Sequence, residues 1–150
     1  MNSRQDDPEA AFTSALAADL RALIGKLKRR LREQANIGDL TPSQVSVLLR
    51  LEREGPTTMS NLARAEGMRP QSMGSAVAVL EAAGFVTGAP DPNDRRQTIL
   101  SLTDTCRERI TEGRSARQDW LFRTIRARLS PQEQKDLAAS VDLLKRLVDD

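Results

Sequence analysis

PTTMSNLARAEGMRPQSMGSAVAVLEAAGFVTGAPDPNDRRQTILSLT, residues 56–103, is the stretch whose reading decides the fold. Two short helical patterns come first, broken at Glu66-Gly67-Met68. Leu62, Ala63, Met68, Met73, Val77 and Leu80 are spaced to bury one side of that pair. Gly67 can take the positive φ that a tight interhelical turn often demands. Pro70 suits the first turn of the second helix, where its missing N–H costs nothing, and Gly84 suits the position just past its end. The period then changes. Phe85-Val86-Thr87 and Thr98–Leu102 read as two strands, joined by 88–97, where Asp91-Pro92 suits the first two positions of a type I turn. Helix, turn, helix and a β-hairpin tipped with Arg95 and Arg96 outline a winged helix-turn-helix.

Outward from this stretch, helices are expected on both sides. Asp7 is a plausible N-cap with Pro8 behind it, and residues 1–7 are expected to form a disordered tail. Phe12, Leu16, Leu20, Leu23, Leu27 and Leu31 recur at steps of three and four, one apolar stripe on a long helix over 8–36. Its last turns carry Lys26, Lys28, Arg29, Arg30 and Arg32. That cluster reads as a solvated face that complements the helix C-terminus, or as a few contacts to phosphate or to an acidic ligand. Thr41-Pro42-Ser43-Gln44 is a capping box. The helix behind it, over 42–54, is expected to bury Val45, Leu48, Leu49 and Leu51. Thr57 or Thr58 caps the next helix, and Thr103 caps a connecting helix over 104–129. Ile110, Leu121, Ile125 and Leu129 suit its buried side; its polar middle, 107–119, predicts a largely exposed element. Ser130-Pro131-Gln132-Glu133 is a second capping box, and Leu137, Val141, Leu144, Leu147 and Val148 line one face of the last helix, over 130–150. The fold class is mainly α with a small β-hairpin wing, the winged helix-turn-helix at 41–103 being flanked by long helices in a single domain over 1–150.

Composition narrows the function. With 150 residues, 39% hydrophobic and 29% charged, the chain reads as one soluble globular domain. Net charge is +2 and the pI about 9.1, which permits nucleic-acid binding only through local clustering. There is one Cys and no His, so an internal disulfide is impossible and the commonest metal ligand and general base are missing. No metal, cofactor or enzymatic activity is expected. A polar, acidic start and the lack of a long apolar run predict a cytoplasmic protein without a membrane anchor.

Several motifs also resemble one family. Thr41-Pro42-Ser43-Gln44, Leu62-Ala63, Leu80-Glu81-Ala82-Ala83-Gly84-Phe85-Val86 and Asp91–Arg96 with Leu100-Ser101-Leu102-Thr103 look like the MarR family of bacterial transcriptional regulators. The resemblance covers nearly the whole chain, and the wing motif is its most specific part. It implies a homodimer in which the two terminal helices interlock with those of a second copy. It also implies binding to double-stranded DNA at a near-palindromic operator, most often as a repressor. A small aromatic or phenolic acid, held between the dimer helices and the DNA-binding lobe, is the effector such a family suggests.

DNA reading would fall to the second helix of the motif. Arg69, Pro70, Gln71, Ser72 and Ser75 occupy its N-terminal turns, where Arg pairs with guanine, Gln with adenine, and Ser with phosphate or base. Arg95 or Arg96 at the hairpin tip suits a narrow A·T-rich minor groove; the resemblance favours Arg95, with Asp94 bracing the wing. A plain Asp94–Arg95 pair inside the turn is the bland alternative. The chain departs from the family at Ser75, where many relatives are basic, at Gly74, where many have Thr, and at Gly88, where Arg is frequent. The reading surface is therefore lean in charge, and Arg50, Arg53, Arg64 and the first helix are the expected helpers. Cys106 lies away from the sensor cysteines of such proteins and reads as a small packed residue. Trp120, beside Phe122, reads as packing or as the wall of an effector cleft. A helical homodimer that binds a protein or senses a ligand, with little or no DNA binding, is the alternative function.

Overall fold

The computed structural model describes residues 7–150 and has the element order α1 (Pro8–Gln34), α2 (Pro42–Glu54), β1 (Thr57–Thr58), α3 (Met59–Ala65), α4 (Pro70–Ala82), β2 (Val86–Pro90), β3 (Thr98–Leu102), α5 (Asp104–Arg128) and α6 (Pro131–Val148). The expected fold class is borne out: helices dominate, and the strands form a small antiparallel sheet. Of the expected tail, only Asp7 lies within the described residues; its carboxylate accepts from the Glu9 N–H at 3.0 Å and caps α1. The chain divides into two compact units, one over Asn36–Arg114 and one containing α1 with Ser115–Asp150.

The Asn36–Arg114 unit holds the core. Val47, Leu48 and Leu51 of α2, Leu62 and Ala63 of α3, Met73, Val77 and Leu80 of α4, Leu100 and Leu102 of β3, and Cys106 and Ile110 of α5 are all buried together. Both helices of the central pair end in the same way. Gly67 has φ 63°, the Met68 N–H reaches the Ala63 carbonyl at 2.8 Å and the Gly67 N–H reaches that of Arg64. Gly84 has φ 78°, with Phe85 N–H to Leu80 and Gly84 N–H to Glu81, both at 3.0 Å. Each is a Schellman stop, which needs a left-handed residue that only glycine adopts at little cost.

Three expectations are corrected and a fourth is extended. In α2 the core takes Val47, Leu48 and Leu51, leaving Val45 half-buried and Leu49 38% exposed. Leu49 sits about 200° around the helix from both Val47 and Leu51, so it cannot share their face. The sheet has three strands, not two: Thr57 and Thr58 pair with Leu100 and Ile99 before α3 begins, while the Thr58 side chain caps α3. A two-residue strand carries no period for a sequence to show. The hairpin strand starts at Val86 and continues past Thr87 through Gly88 and Ala89 to Pro90. β2 lies at the sheet edge, where a strand tolerates a residue without an N–H. Finally, α5 is exposed along most of 107–119 and buries Ile110, as expected, but Cys106 and Gly113 join Ile110 on a core face at steps of four and three, and both are too small to give an apolar signal.

In the other unit, neither α1 nor α6 buries a residue. Phe12 is 71% exposed, Leu16 55%, Leu23 61% and Leu147 71%, so both apolar stripes lie open on a single chain. Arg117 of α5 reaches the Ala35 carbonyl at the end of α1 at 3.5 Å. Among the described residues, no helix is long and apolar enough to cross a membrane.

The α2 face can be checked by equilibrium unfolding. Leu51→Ala should cost about 2–5 kcal/mol, the range for emptying a filled core position. Leu49→Ala should cost less than about 1 kcal/mol, as an exposed substitution does.

Candidate nucleic-acid interface

α4 presents a clean division of faces. Met73, Ala76, Val77 and Leu80 are buried, while Gln71, Ser72, Ser75, Ala78 and Val79 are exposed. Spacings of three and four put Gln71, Ser72 and Ser75 on one outward arc over the first turns. Arg69 is the N-cap, extended at φ −69° and ψ 147°, and makes no capping hydrogen bond. Pro70 follows it at the first helical position. Beyond Arg69, α4 carries no basic residue, and its one charged side chain is Glu81. The Ser75 hydroxyl donates to the Gln71 carbonyl at 3.2 Å, so in this rotamer it offers an outside group only its lone pairs. Val79, 47% exposed and four residues beyond Ser75, belongs to the same arc. The sequence does not offer it as a site residue, because an apolar residue in a helix reads first as core; its spacing from Ser75 is the signal that places it on the arc.

The hairpin tip is shaped by carboxylates. The Asp91 side chain accepts from the Asn93 N–H at 2.9 Å, and the Asp94 side chain accepts from the Arg96 N–H at 3.1 Å. Backbone bonds from Asp91 N–H to Gln97 and from Gln97 N–H to Asp94 close the loop. Asp94 therefore holds backbone, and among the described residues no ion pair engages Arg69, Arg95 or Arg96. Both tip arginines are exposed. The root of the hairpin is pinned at Thr103. Its hydroxyl donates to the Gly84 carbonyl at 2.6 Å and accepts from the Cys106 N–H at 3.1 Å, and its own N–H reaches the Phe85 carbonyl at 3.1 Å.

The helper residues divide. Arg53 and Arg64 are exposed. Arg50 is not a free cation: its Nε donates to Glu66 at 2.6 Å and its Nη1 to Glu54 at 3.0 Å. The hydrogen bond it gives to Glu66, above all, pushes the Arg50 guanidinium further up. Burial pushes the Glu66 carboxyl up, but the hydrogen bonds from Arg50 and Ser46 outweigh it and hold it below the usual carboxylate range. On α1, Lys26, Lys28, Arg29, Arg30 and Arg32 are exposed, and Arg30 pairs with Glu33 at 3.4 Å. Trp120 is half-buried, and Phe122 lies exposed with the Arg126 guanidinium 5.7 Å from its ring centre. No cluster of three potential metal ligands occurs among the described residues.

The two glycines at which the sequence departs from its likeness differ in kind. A Cβ on Gly74 would meet nothing within 4 Å. A Cβ on Gly88 would lie 2.8 Å from the Thr98 methyl, so a side chain there requires Thr98 to move. Cys106 is fully buried, and burial pushes its thiol pKa up, the opposite of what a reactive thiolate needs.

A MarR family model matches residues 38–97. An HTH-type transcriptional regulator of Mycobacterium tuberculosis is 38% identical over 135 residues, covering 90% of this chain and 94% of that protein. The HTH-type transcriptional repressor NicR of Pseudomonas putida is 28% identical, covering 69% of this chain and 70% of NicR. A crystallised Pseudomonas aeruginosa protein described as a transcriptional regulator superimposes with a TM-score of 0.78 at 36% identity, covering 92% of this chain and 96% of that one.

Two outcomes follow from these local geometries. Gly74→Ala should raise stability by about 1 kcal/mol, the helix-propensity difference, since the added methyl meets no neighbour; a denaturant midpoint that falls would contradict the open space. Cys106 should react with a thiol reagent only under unfolding conditions, and prompt labelling of the native protein would contradict its burial.

Proposed function

The chain belongs to the MarR family, and from that premise we propose that it is a cytoplasmic, DNA-binding transcriptional regulator, a repressor acting as a homodimer. The observation that carries this reading is the outer face of α4. Its inner side is locked into the core, while Arg69, Gln71, Ser72 and Ser75 stand exposed and Arg69 has no ion partner among the described residues. The dimer is supported by the apolar stripes of α1 and α6, whose exposed Phe12, Leu16, Leu23, Leu144 and Leu147 offer the kind of apolar surface that a second copy covers.

In this reading the two copies of α4 enter successive major grooves on one face of a duplex, with half-sites one helical turn, roughly 34 Å, apart. Gln71 selects adenine, Arg69 selects guanine or holds phosphate, and Ser72 and Ser75 bind base or phosphate. Val79 suits a thymine methyl. Pro70 starts the helix and leaves its outer turn free of a competing donor. At the wing, Asp94 fixes the loop backbone, and Arg95 enters the flanking minor groove with Arg96 beside it. A small aromatic or phenolic acid is the effector class suggested by family likeness; it would release DNA by changing the separation of the two reading lobes. The poverty of basic residues on α4 favours one second reading, a helical dimer that binds a protein or a ligand and no DNA.

Titration on selected and scrambled duplexes over several salt concentrations separates these. Gln71→Ala should relax preference at one position per half-site and cost about 1–3 kcal/mol. Arg95→Ala should weaken all duplexes together and flatten the salt dependence, each lost phosphate contact removing about 0.9 from the slope. Arg95→Ala that binds every duplex like wild type would remove the wing from the interface. Wild type with no affinity for any duplex would favour the second reading. Light scattering at micromolar concentration should give twice the chain mass of 16.6 kDa, and Leu144→Asp should disperse or unfold that dimer by placing a charge on the apolar stripe.

A further inference from the structure

Glu66 stands at the joint between α3 and α4, where the reading helix begins. It is the C-cap of α3, immediately before Gly67 and three residues before Arg69. Its side chain is only 11% exposed. One carboxylate oxygen takes the Ser46 hydroxyl at 2.9 Å and the other takes Arg50 Nε at 2.6 Å, both donors coming from α2. Arg50 is fixed in turn by Glu54. No other side chain of the 66–69 turn makes a hydrogen bond or ion pair among those described. The turn is otherwise held by backbone bonds and by the half-buried Met68.

We propose that Glu66 is a positioning residue for base reading: by clamping the α3–α4 turn to Ser46 and Arg50 of α2, it fixes how the first turn of α4 meets a groove. The inference rests on the proposed DNA-binding function. Reading a base edge bidentately needs the donor pair of Gln71 placed to within a fraction of an ångström, and a helix whose first turn rocks spreads that placement over several bases. Total affinity, which comes mainly from phosphate contacts, is less sensitive to such rocking. The clamp therefore acts on discrimination. It also explains why a half-buried charge pair stands here rather than apolar contacts: a hydrogen-bonded carboxylate fixes a direction, which packing of flexible side chains does not.

The experiment compares wild type with Glu66→Ala, Arg50→Ala, the double variant and Glu66→Gln. It measures the ratio of affinities for selected and scrambled duplexes and the hydrogen exchange of the Met68 amide, whose bond to Ala63 closes the turn. Glu66→Ala should lower the ratio about tenfold, the scale of one lost charge-assisted hydrogen bond, and should speed Met68 exchange. Arg50→Ala should do likewise, and the double variant should be no worse than the larger single, as members of one clamp behave. Glu66→Gln, whose amide oxygen can still accept from Arg50 Nε while its NH2 donates to the Ser46 hydroxyl oxygen, should retain most of the ratio. A ratio unchanged in Glu66→Ala, with only its melting temperature lowered, overturns the proposal. So does tighter binding to both duplexes with a steeper salt dependence, which would make Glu66 a mask over Arg50. If Glu66→Ala does not fold, Ser46→Ala replaces it and should show a smaller fall in the same ratio; no fall overturns the proposal. Should wild type itself show no preference among duplexes, the functional reading fails, and Met68 exchange still decides whether Glu66 clamps the turn.

Discussion

The burial of one face of α4 is the constraint on which the rest of this molecule depends. Met73 and Leu80 are fully buried and Val77 is 2% exposed. Each is worth about 1.5–3 kcal/mol of burial. Rolling the helix by one residue would turn it about 100° and bring part of that face into water. The azimuth of α4 is therefore set by the core and not by whatever α4 touches outside. The outward arc of Gln71, Ser72 and Ser75 is a consequence of that choice. A helix so anchored can hold a lean outer face without losing its place, which is why Gly74 and the small serines are tolerated there.

The ends of α4 extend this constraint to its surroundings. At the start, a Schellman stop at Gly67 and the Glu66 carboxylate tie the turn to α2. At the end, a second Schellman stop at Gly84 hands the chain to β2, and Thr103 binds that stop to the returning strand and to α5. Thr103 thus joins the end of α4, the hairpin root and α5 at one point. Cys106 packs beside that point, which accounts for a small buried thiol better than redox chemistry does. The tip of the hairpin is shaped separately, by Asp91 and Asp94 holding backbone N–H groups, so among the described residues its arginines have no ion partner.

Much of this was legible in the sequence because it is local. Capping boxes at Thr41 and Ser130, glycines at 67 and 84, and the switch of period after Gly84 are each decided within a few residues, and the structure has all of them. What was not legible depends on partners distant in the chain. Val47 rather than Leu49 is buried because the core lies on that side of α2, and α2 alone is nearly as apolar at either position. The pairing of Thr57 and Thr58 with β3 spans more than forty residues. Arg50 reads as a free cation in the sequence because the carboxylate that holds it, Glu66, lies sixteen residues on. In the site, the exposed arc and the tip arginines followed from spacing; the apolar Val79 did not, because hydrophobicity points inward by default.

The claim that ties these elements together is that α4, fixed by its core face, reads DNA in pairs. Its most direct test is to sequence the duplexes that the purified protein retains from a random pool. The account predicts enrichment of two inverted half-sites whose centres lie one helical turn apart, roughly 10 base pairs. A retained pool with no enriched sequence, or with one half-site lacking an inverted mate, would contradict it.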